Sequence, residues 1–308
     1  MAKRLLRSRE RLSLKFGQAS FELLGDFLIN FNQKNKENLD SLSKCCGSFK
    51  LKPLLDCIFL ICQELKLDPA VGYHATELLQ RFMVKHLSDL LVTPETSAAA
   101  ASEPRNLEDS IFDQLKEKFP LIVFSCVQLA NKMSLNHHMI DTGTAVSFLH
   151  LLGLSVSKKT ILESELMVFK GLEFKLIYPN PLTSVETLLE VLGHNDPSVP
   201  VKRLYHLCRH VLQFITLQKA AIYDSLLKVT TQRASPSKEQ REKFVTVTED
   251  CMLLGVGVIA VAVFILYIRK WEQVIGELSH ITGISVKSIS DFAHVTLAHI
   301  VGFLCPAE

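Results

Sequence analysis

The chain has 308 residues, 48% of them apolar and 21% charged, with a net charge of +2. That apolar content fills one large core or two medium ones, and the charge balance excludes both an acidic disordered tail and a generally basic nucleic-acid binder. Strand signals are scarce and apolar residues recur three and four apart, so the expected fold class is all-α.

Residues 1–15 form a basic arm, with Lys3, Arg4, Arg7, Arg9, Arg11 and Lys15 against Glu10. The arm lacks the long apolar stretch of a secretory signal, and Glu10 weighs against a transit peptide. It reads either as a solvated arm or as a nuclear-import patch. Arg9 and Leu12 also have the spacing of a degradation signal, a pattern that arises often by chance. Residues 16–50 hold an N-terminal helix and a linker. Phe16, Phe21, Leu24, Phe27, Leu28 and Phe31 make an apolar stripe, expected to pack on the outside of the first unit.

The first unit, residues 51–178, is predicted to hold five main helices. Pro53–Leu65 starts with a proline tolerated in a first turn, and Pro69–Leu87 carries Ala75, Leu78 and Phe82 on one face. An exposed small-residue loop, Thr93–Asn106, and a charged helix, Leu107–Phe119, lead to Leu121–Leu135. That stretch is apolar nearly all round until Lys132, the mark of a helix buried among others. Asp141–Leu152, a turn at Gly153 and Ser157–Leu172 complete the unit.

The second unit, residues 179–303, repeats the first at an offset of 130 residues, which reveals a doubled architecture. Thr183–Leu192 opens on Thr183 and Glu186 at capping-box spacing, and Val201–Leu217 follows. A polar loop, Thr230–Lys243, precedes the second hub, Cys251–Ile265. Gly153-Leu-Ser-Val-Ser and Gly283-Ile-Ser-Val-Lys match closely, with glycine suited to a helix C-terminus. The apolar run Cys251–Ile268, followed by Arg269 and Lys270, has the minimum length of a membrane span. Gly255, Gly257, the short repeat partner and the amphipathic sequence beyond point to a buried hub, and no membrane partner is expected.

The eight cysteines are Cys45, Cys46, Cys57, Cys62, Cys126, Cys208, Cys251 and Cys305. Most lie in apolar helical patterns, so reduced, buried thiols are expected. No Cys/His pairs at metal spacing occur, and His137 and His138 lack an accompanying HExxH, so neither metal nor cofactor is expected. No nucleotide loop or nucleophile elbow is present, and Glu163 and Glu165 point to different helix faces, so the chain does not read as an enzyme.

The repeats differ in polarity at two places. Lys132 matches Ala262, and Glu165 matches Val295, or Ala293 if the register slips by two. A lysine ending a hub helix usually snorkels at the surface, but a Lys and a Glu confined to one unit also suit a pair on a binding surface.

ELLQRFMV, CVQLANKMS and ILESELMVFKGLEFKL together resemble the cyclin box, and the two units resemble the lobes of a cyclin, from about Leu51 to Ile300. The resemblance implies tandem five-helix cyclin boxes and a cyclin-dependent-type protein kinase as partner. Lys132 and Glu165 match the lysine and glutamate with which cyclins contact the kinase. YPNPLTSVETLLEVLG, EDCMLLGVGVIA and WEQVIGELSHITGI resemble a cyclin-like branch associated with maturation of meiotic crossover sites. That implies a nuclear location and recombination proteins as further partners, with a kinase-independent scaffold as the alternative. Direct DNA binding, as tandem cyclin-like folds in general transcription factors show, is disfavoured by the weakly positive balance and the lack of a basic stripe. The sequence departs from cyclins where they dock substrates: Lys50-Leu51-Lys52-Pro53-Leu54 lacks the arginine, and Cys57 stands in place of the tryptophan. Ser235-Pro236-Ser237-Lys238 fits a proline-directed kinase site, making Ser235 a candidate phosphorylation site.

Overall fold

The computed structural model describes residues 16–17, 19–40, 42, 48–92, 104–134 and 139–304. The basic arm, His137, His138, Cys45, Cys46 and Cys305 lie outside them. The described residues are all-α. In order, the helices are α1 Phe21–Asp40, α2 Lys52–Glu64, α3 Pro69–Val92, α4 Pro104–Met133, α5 Thr142–Leu151, α6 Lys158–Gly171 and α7 Pro181–Asn195. They continue as α8 Val201–Leu217, α9 Lys219–Thr231, α10 Lys238–Thr248, α11 Cys251–Tyr267, α12 Trp271–Thr282 and α13 Val286–Leu304.

Two apolar clusters organise these helices. One gathers α2, α3, α5 and α6 around α4, with Ile58, Leu78, Phe82, Phe124, Val127, Leu149 and Ile161 essentially inaccessible. The other gathers α7, α8, α9, α12 and α13 around α11, where Val256 to Ala262 are fully buried. α11 is uniformly apolar, and as far as Val263 the surrounding helices enclose it. By length and composition Cys251–Thr282 is able to cross a membrane, yet in the fold its first half is this enclosed centre.

The glycines of α11 allow that enclosure. A Cβ on Gly257 would lie 2.2 Å from the ring of Phe292 on α13, and one on Gly255 would lie 2.9 Å from Leu188 on α7. Asp250 caps the helix, accepting from the backbone N–H groups of Met252 (2.8 Å) and Leu253 (3.1 Å). Gly283, at φ +73°, terminates α12 in the left-handed conformation, as its position in the repeat predicts.

Four local expectations need correction. α1 packs chiefly on α7 and α11 of the second bundle, and touches the first through Asn38 and Arg81. Phe16, Leu28 and Phe31 meet the second cluster, while Phe21 and Phe27 of the same stripe stay exposed. Buried Asn35 fixes the placement: its Oδ1 accepts from Cys251 N (3.0 Å) and its Nδ2 donates to Asp250 (2.9 Å). An apolar stripe shows that a face is buried, but not against which helix.

The charged segment and the first hub are one helix, α4, running through Pro120 on an exposed face. At the 130-residue offset Pro120 falls opposite Asp250, so both bundles carry a helix-starting residue there. Only the second bundle separates the pieces, into α10 and α11.

The predicted loop Thr230–Lys243 is mostly helical. α9 ends at Gln232 in the left-handed region, and α10 starts from a capping box in which Ser237 and Gln240 bond reciprocally. α10 buries no side chain, so apolar periodicity gave it no signal. Finally, α7 begins at Pro181 with Asn180 accepting from Leu182 N (3.0 Å), so Thr183 is not its cap. Glu186 instead accepts from the Tyr205 hydroxyl (2.6 Å).

An ion cluster joins the bundles. Lys50 Nζ lies 3.0 Å from Glu77 on α3 and 2.7 Å from Glu249 at the end of α10. Arg81 pairs with Glu77 (2.6 Å), Lys219 pairs with Glu249 (2.8 Å), and Asn38 of α1 accepts from Arg81. Burial by itself pushes the Glu77 carboxyl up, but Lys50 and Arg81 outweigh it and hold the group at about 2. Lys219 and Lys50 likewise keep Glu249 below the ordinary carboxylate range against its own burial. A cavity of about 70 Å³ beside the cluster has room for water and includes the buried Tyr223 hydroxyl, which has no partner among the described residues.

Candidate partner-binding surface

The seam between α4 and α6 carries the two residues singled out by the repeat comparison. α6 starts at a defined point because Ser157 caps it, accepting from Thr160 N (3.1 Å). Ile161, Ser164 and Val168 then face inward, which leaves Leu162 and Leu166 outward and Glu165 at the edge of the seam. On α4, Ser125 and Ser164 share a buried hydrogen bond of 2.9 Å that fixes the two helices against each other. Lys132 lies two turns beyond Ser125, on the same side of α4.

Lys132 Nζ donates to Glu165 Oε1, so the structure brings the two residues together as an ion pair. The pair is asymmetric: the lysine side chain is 41% exposed and the glutamate 12%. Glu165 Oε2 is buried and has no hydrogen-bond partner among the described residues. Gln128, one turn before Lys132, likewise has a buried Oε1 without a partner. Such acceptors are uncommon in folded proteins and mark places where a donor fits. Lys132 has donors to spare, since an ammonium carries three.

Apolar side chains surround the pair. Leu162 and Leu166 flank Glu165 on α6, and Met133 ends α4 beside Lys132; each is about half exposed. Leu151 and Leu152, at the end of α5, are exposed as well. A charged pair with one unfilled acceptor, ringed by exposed leucines, is the composition of a protein interface and not of an ordinary solvated surface. Chemically it can donate from Lys132 to carbonyl or carboxylate oxygens and accept at Glu165 from N–H groups.

Elsewhere, Ser235 is exposed between α9 and α10, but Pro236 is buried and Ser237 is engaged as the α10 cap. Cys57 is exposed on α2, with Leu60 also exposed on that helix and Leu51 exposed at its N-terminal cap position. Lys50, read from the sequence only as part of an altered docking motif, is committed to the ion cluster. The link from Lys50 to Glu249 spans 199 residues, and no short-range pattern encodes it. Among the described residues no group of three or more His, Cys, Asp or Glu is placed to hold a metal.

No family model matches the chain. The chain is 38% identical over 306 residues to the cyclin N-terminal domain-containing protein 1 of Homo sapiens, covering 98% of this chain and 92% of that protein. It is 37% identical over 292 residues to the Mus musculus protein of the same name, covering 95% and 87% respectively. Likeness of this extent, running from the N-terminal region through both bundles, places the chain in the cyclin N-terminal domain-containing protein 1 family.

Proposed function

We propose that the chain is a non-enzymatic cyclin-type regulator. It would be built as tandem five-helix cyclin boxes, residues 51–178 and 179–303, of which the first seats a cyclin-dependent-type protein kinase. The observation that carries this reading is the Lys132–Glu165 pair, with its buried, unfilled Oε2 and its rim of Leu162, Leu166 and Met133. A helix of the partner laid across α4 and α6 covers the leucines, donates to Oε2 and accepts from Lys132. Charge-assisted bonds give such a contact its register, and the apolar rim excludes water from them. The regulated process in this reading is maturation of meiotic crossover sites in the nucleus.

The test is a pull-down from meiotic cells with identification of bound kinases, comparing the native chain with a Lys132→Ala, Glu165→Ala variant that keeps its circular dichroism. A kinase bound by the native chain and lost by the variant supports the reading. Recovery of recombination proteins without a kinase favours a kinase-independent scaffold. One observation leans toward that second reading: the cyclin substrate-docking features are replaced here by exposed Cys57 and by a Lys50 held in the ion cluster.

A further inference from the structure

A second polar site lies where the two bundles meet, on a different part of the molecule from Lys132 and Glu165. The end of α2, the start of α3 and the middle of α8 enclose a cleft of about 290 Å³. Three basic residues line it: Lys66 just past the end of α2, and Arg209 and His210 on α8. No aspartate or glutamate lines it.

Arg209 is the unusual member. Among the described residues its buried Nε has no hydrogen-bond partner, and no carboxylate lies within 4.0 Å of the guanidinium. The side chain lies 6.0 Å from the centroid of the Tyr205 ring, and its charge acts on Glu186 without a direct ion pair. The acid most able to pair with it, Glu186, is occupied by the Tyr205 hydroxyl at 2.6 Å, and Asp68 accepts from Ala70 N at 2.8 Å. Lys66 also makes no ion pair among the described residues, and its backbone sits at φ +54°, where a glycine would be easier to hold. His210 uses Nδ1 on the carbonyl of His206 (2.8 Å) and leaves its other ring nitrogen unused. By contrast Lys50, Arg81, Lys219 and Arg241 all have carboxylate partners.

We propose that this cleft binds an anionic side chain, carboxylate or phosphate, carried on an acidic peptide segment of a partner protein. A guanidinium presents paired donors that match the two oxygens of either group, which a lysine cannot do. Phe59, Leu67 and Leu182 give the cleft apolar walls for the carbon stem of the anionic residue and its neighbour. The cleft is slightly below the size of typical small-molecule sites, about 300 Å³ and upward, so it suits one anchoring side chain of a longer segment. Both bundles contribute to it, so occupancy also favours the observed packing of one bundle on the other.

The test measures binding of the full chain to fluorescent degenerate peptide libraries that fix phosphoserine, glutamate or serine at the central position. The expected result is at least tenfold tighter binding of the phosphoserine or the glutamate library than of the serine library. The stronger of the two identifies the source of the anion. Arg209→Met, which keeps the hydrophobic stem, is expected to abolish that preference. Arg209→Lys keeps the charge but loses the fork and is expected to retain only part of it. A Lys202→Met, Arg203→Met variant on the exposed part of α8 serves as the charge control and is expected to bind like the native chain. Equal binding of all three libraries, a preference that survives Arg209→Met in a folded protein, or an equal loss in the control variant overturns the proposal. None of these outcomes depends on whether a kinase binds at Lys132 and Glu165.

Discussion

The Glu77→Gln substitution tests whether the ion cluster holds the two bundles together. Glu77 accepts from Lys50 (3.0 Å) and Arg81 (2.6 Å), and each of the three side chains is less than a third exposed. Its carboxyl sits at about 2 against an ordinary 4.5. At about 1.4 kcal/mol per pH decade, that difference contributes about 3 kcal/mol of stability at neutral pH. Because the folded value lies below the unfolded one, the contribution is complete above pH 4.5 and disappears as the pH falls toward 2. Glutamine keeps the shape and removes the charge, leaving Lys50 with Glu249 alone. The expected loss is therefore about 3 kcal/mol at pH 7, of the size seen when one member of a buried pair is removed. Urea denaturation of both proteins at pH 7, 5, 4 and 3 measures it. The native-minus-variant difference should stay level from pH 7 to 5 and shrink below 4.5. A variant as stable as the native protein at pH 7, or a difference unchanged down to pH 3, refutes the assignment of an ionised Glu77 to this junction.

Asp250→Ala removes the cap of α11 and leaves the buried Asn35 amide without its acceptor, so a loss of about 2–3 kcal/mol is expected in the same assay. Gly257→Ala, whose Cβ would press on the Phe292 ring, should destabilise by about 1–2 kcal/mol after the helix-propensity gain is deducted. Gly276→Ala, with open space around it on α12, should stabilise by up to about 1 kcal/mol. Thermal melts of these two variants should therefore shift in opposite directions. Among the cysteines of the described residues, Cys57 should react first with iodoacetamide in the native state. Cys62 and Cys251, buried with their thiols pushed up to about 12, should stay protected with Cys126 and Cys208, as peptide mapping by mass spectrometry would show.

The parts of this fold legible in the sequence were those with a strong apolar period. The second half of α4 and α11 stand out as apolar hubs, and α2, α3, α5, α6, α8 and α12 follow from stripes, prolines and the matched glycines. α10 is not legible by that route, since it packs only the partly buried Phe244 and Val247 on the core, although Ser237 and Gln240 show the spacing of its capping box. The docking of α1 was misjudged because its anchor is Asn35, a polar residue that bonds to a backbone N–H 216 residues away. For the candidate site, comparing the repeats exposed Lys132 and Glu165 as polar exceptions, and the fold joins them in one ion pair. What no sequence pattern contained is the asymmetry of that pair, because the orphaned Oε2 depends on how α6 packs against α4. Arg209 is illegible for a similar reason: on α8 it reads as one more surface cation, and its setting depends on the packing of α8 against α2.

The most direct test of the central claim is quantitative binding of the purified chain to a panel of cyclin-dependent-type kinases by biolayer interferometry. It would compare the native protein with Lys132→Ala, Glu165→Ala and the double variant. At least one kinase is expected to bind. Glu165→Ala should weaken it by at least tenfold, because a buried charged acceptor at an interface contributes about 2–5 kcal/mol and each tenfold corresponds to about 1.4 kcal/mol. The double variant should lose less than the sum of the single losses, as expected for residues that act as a pair. Binding to no member of the panel, or equal binding by all four proteins, would contradict it.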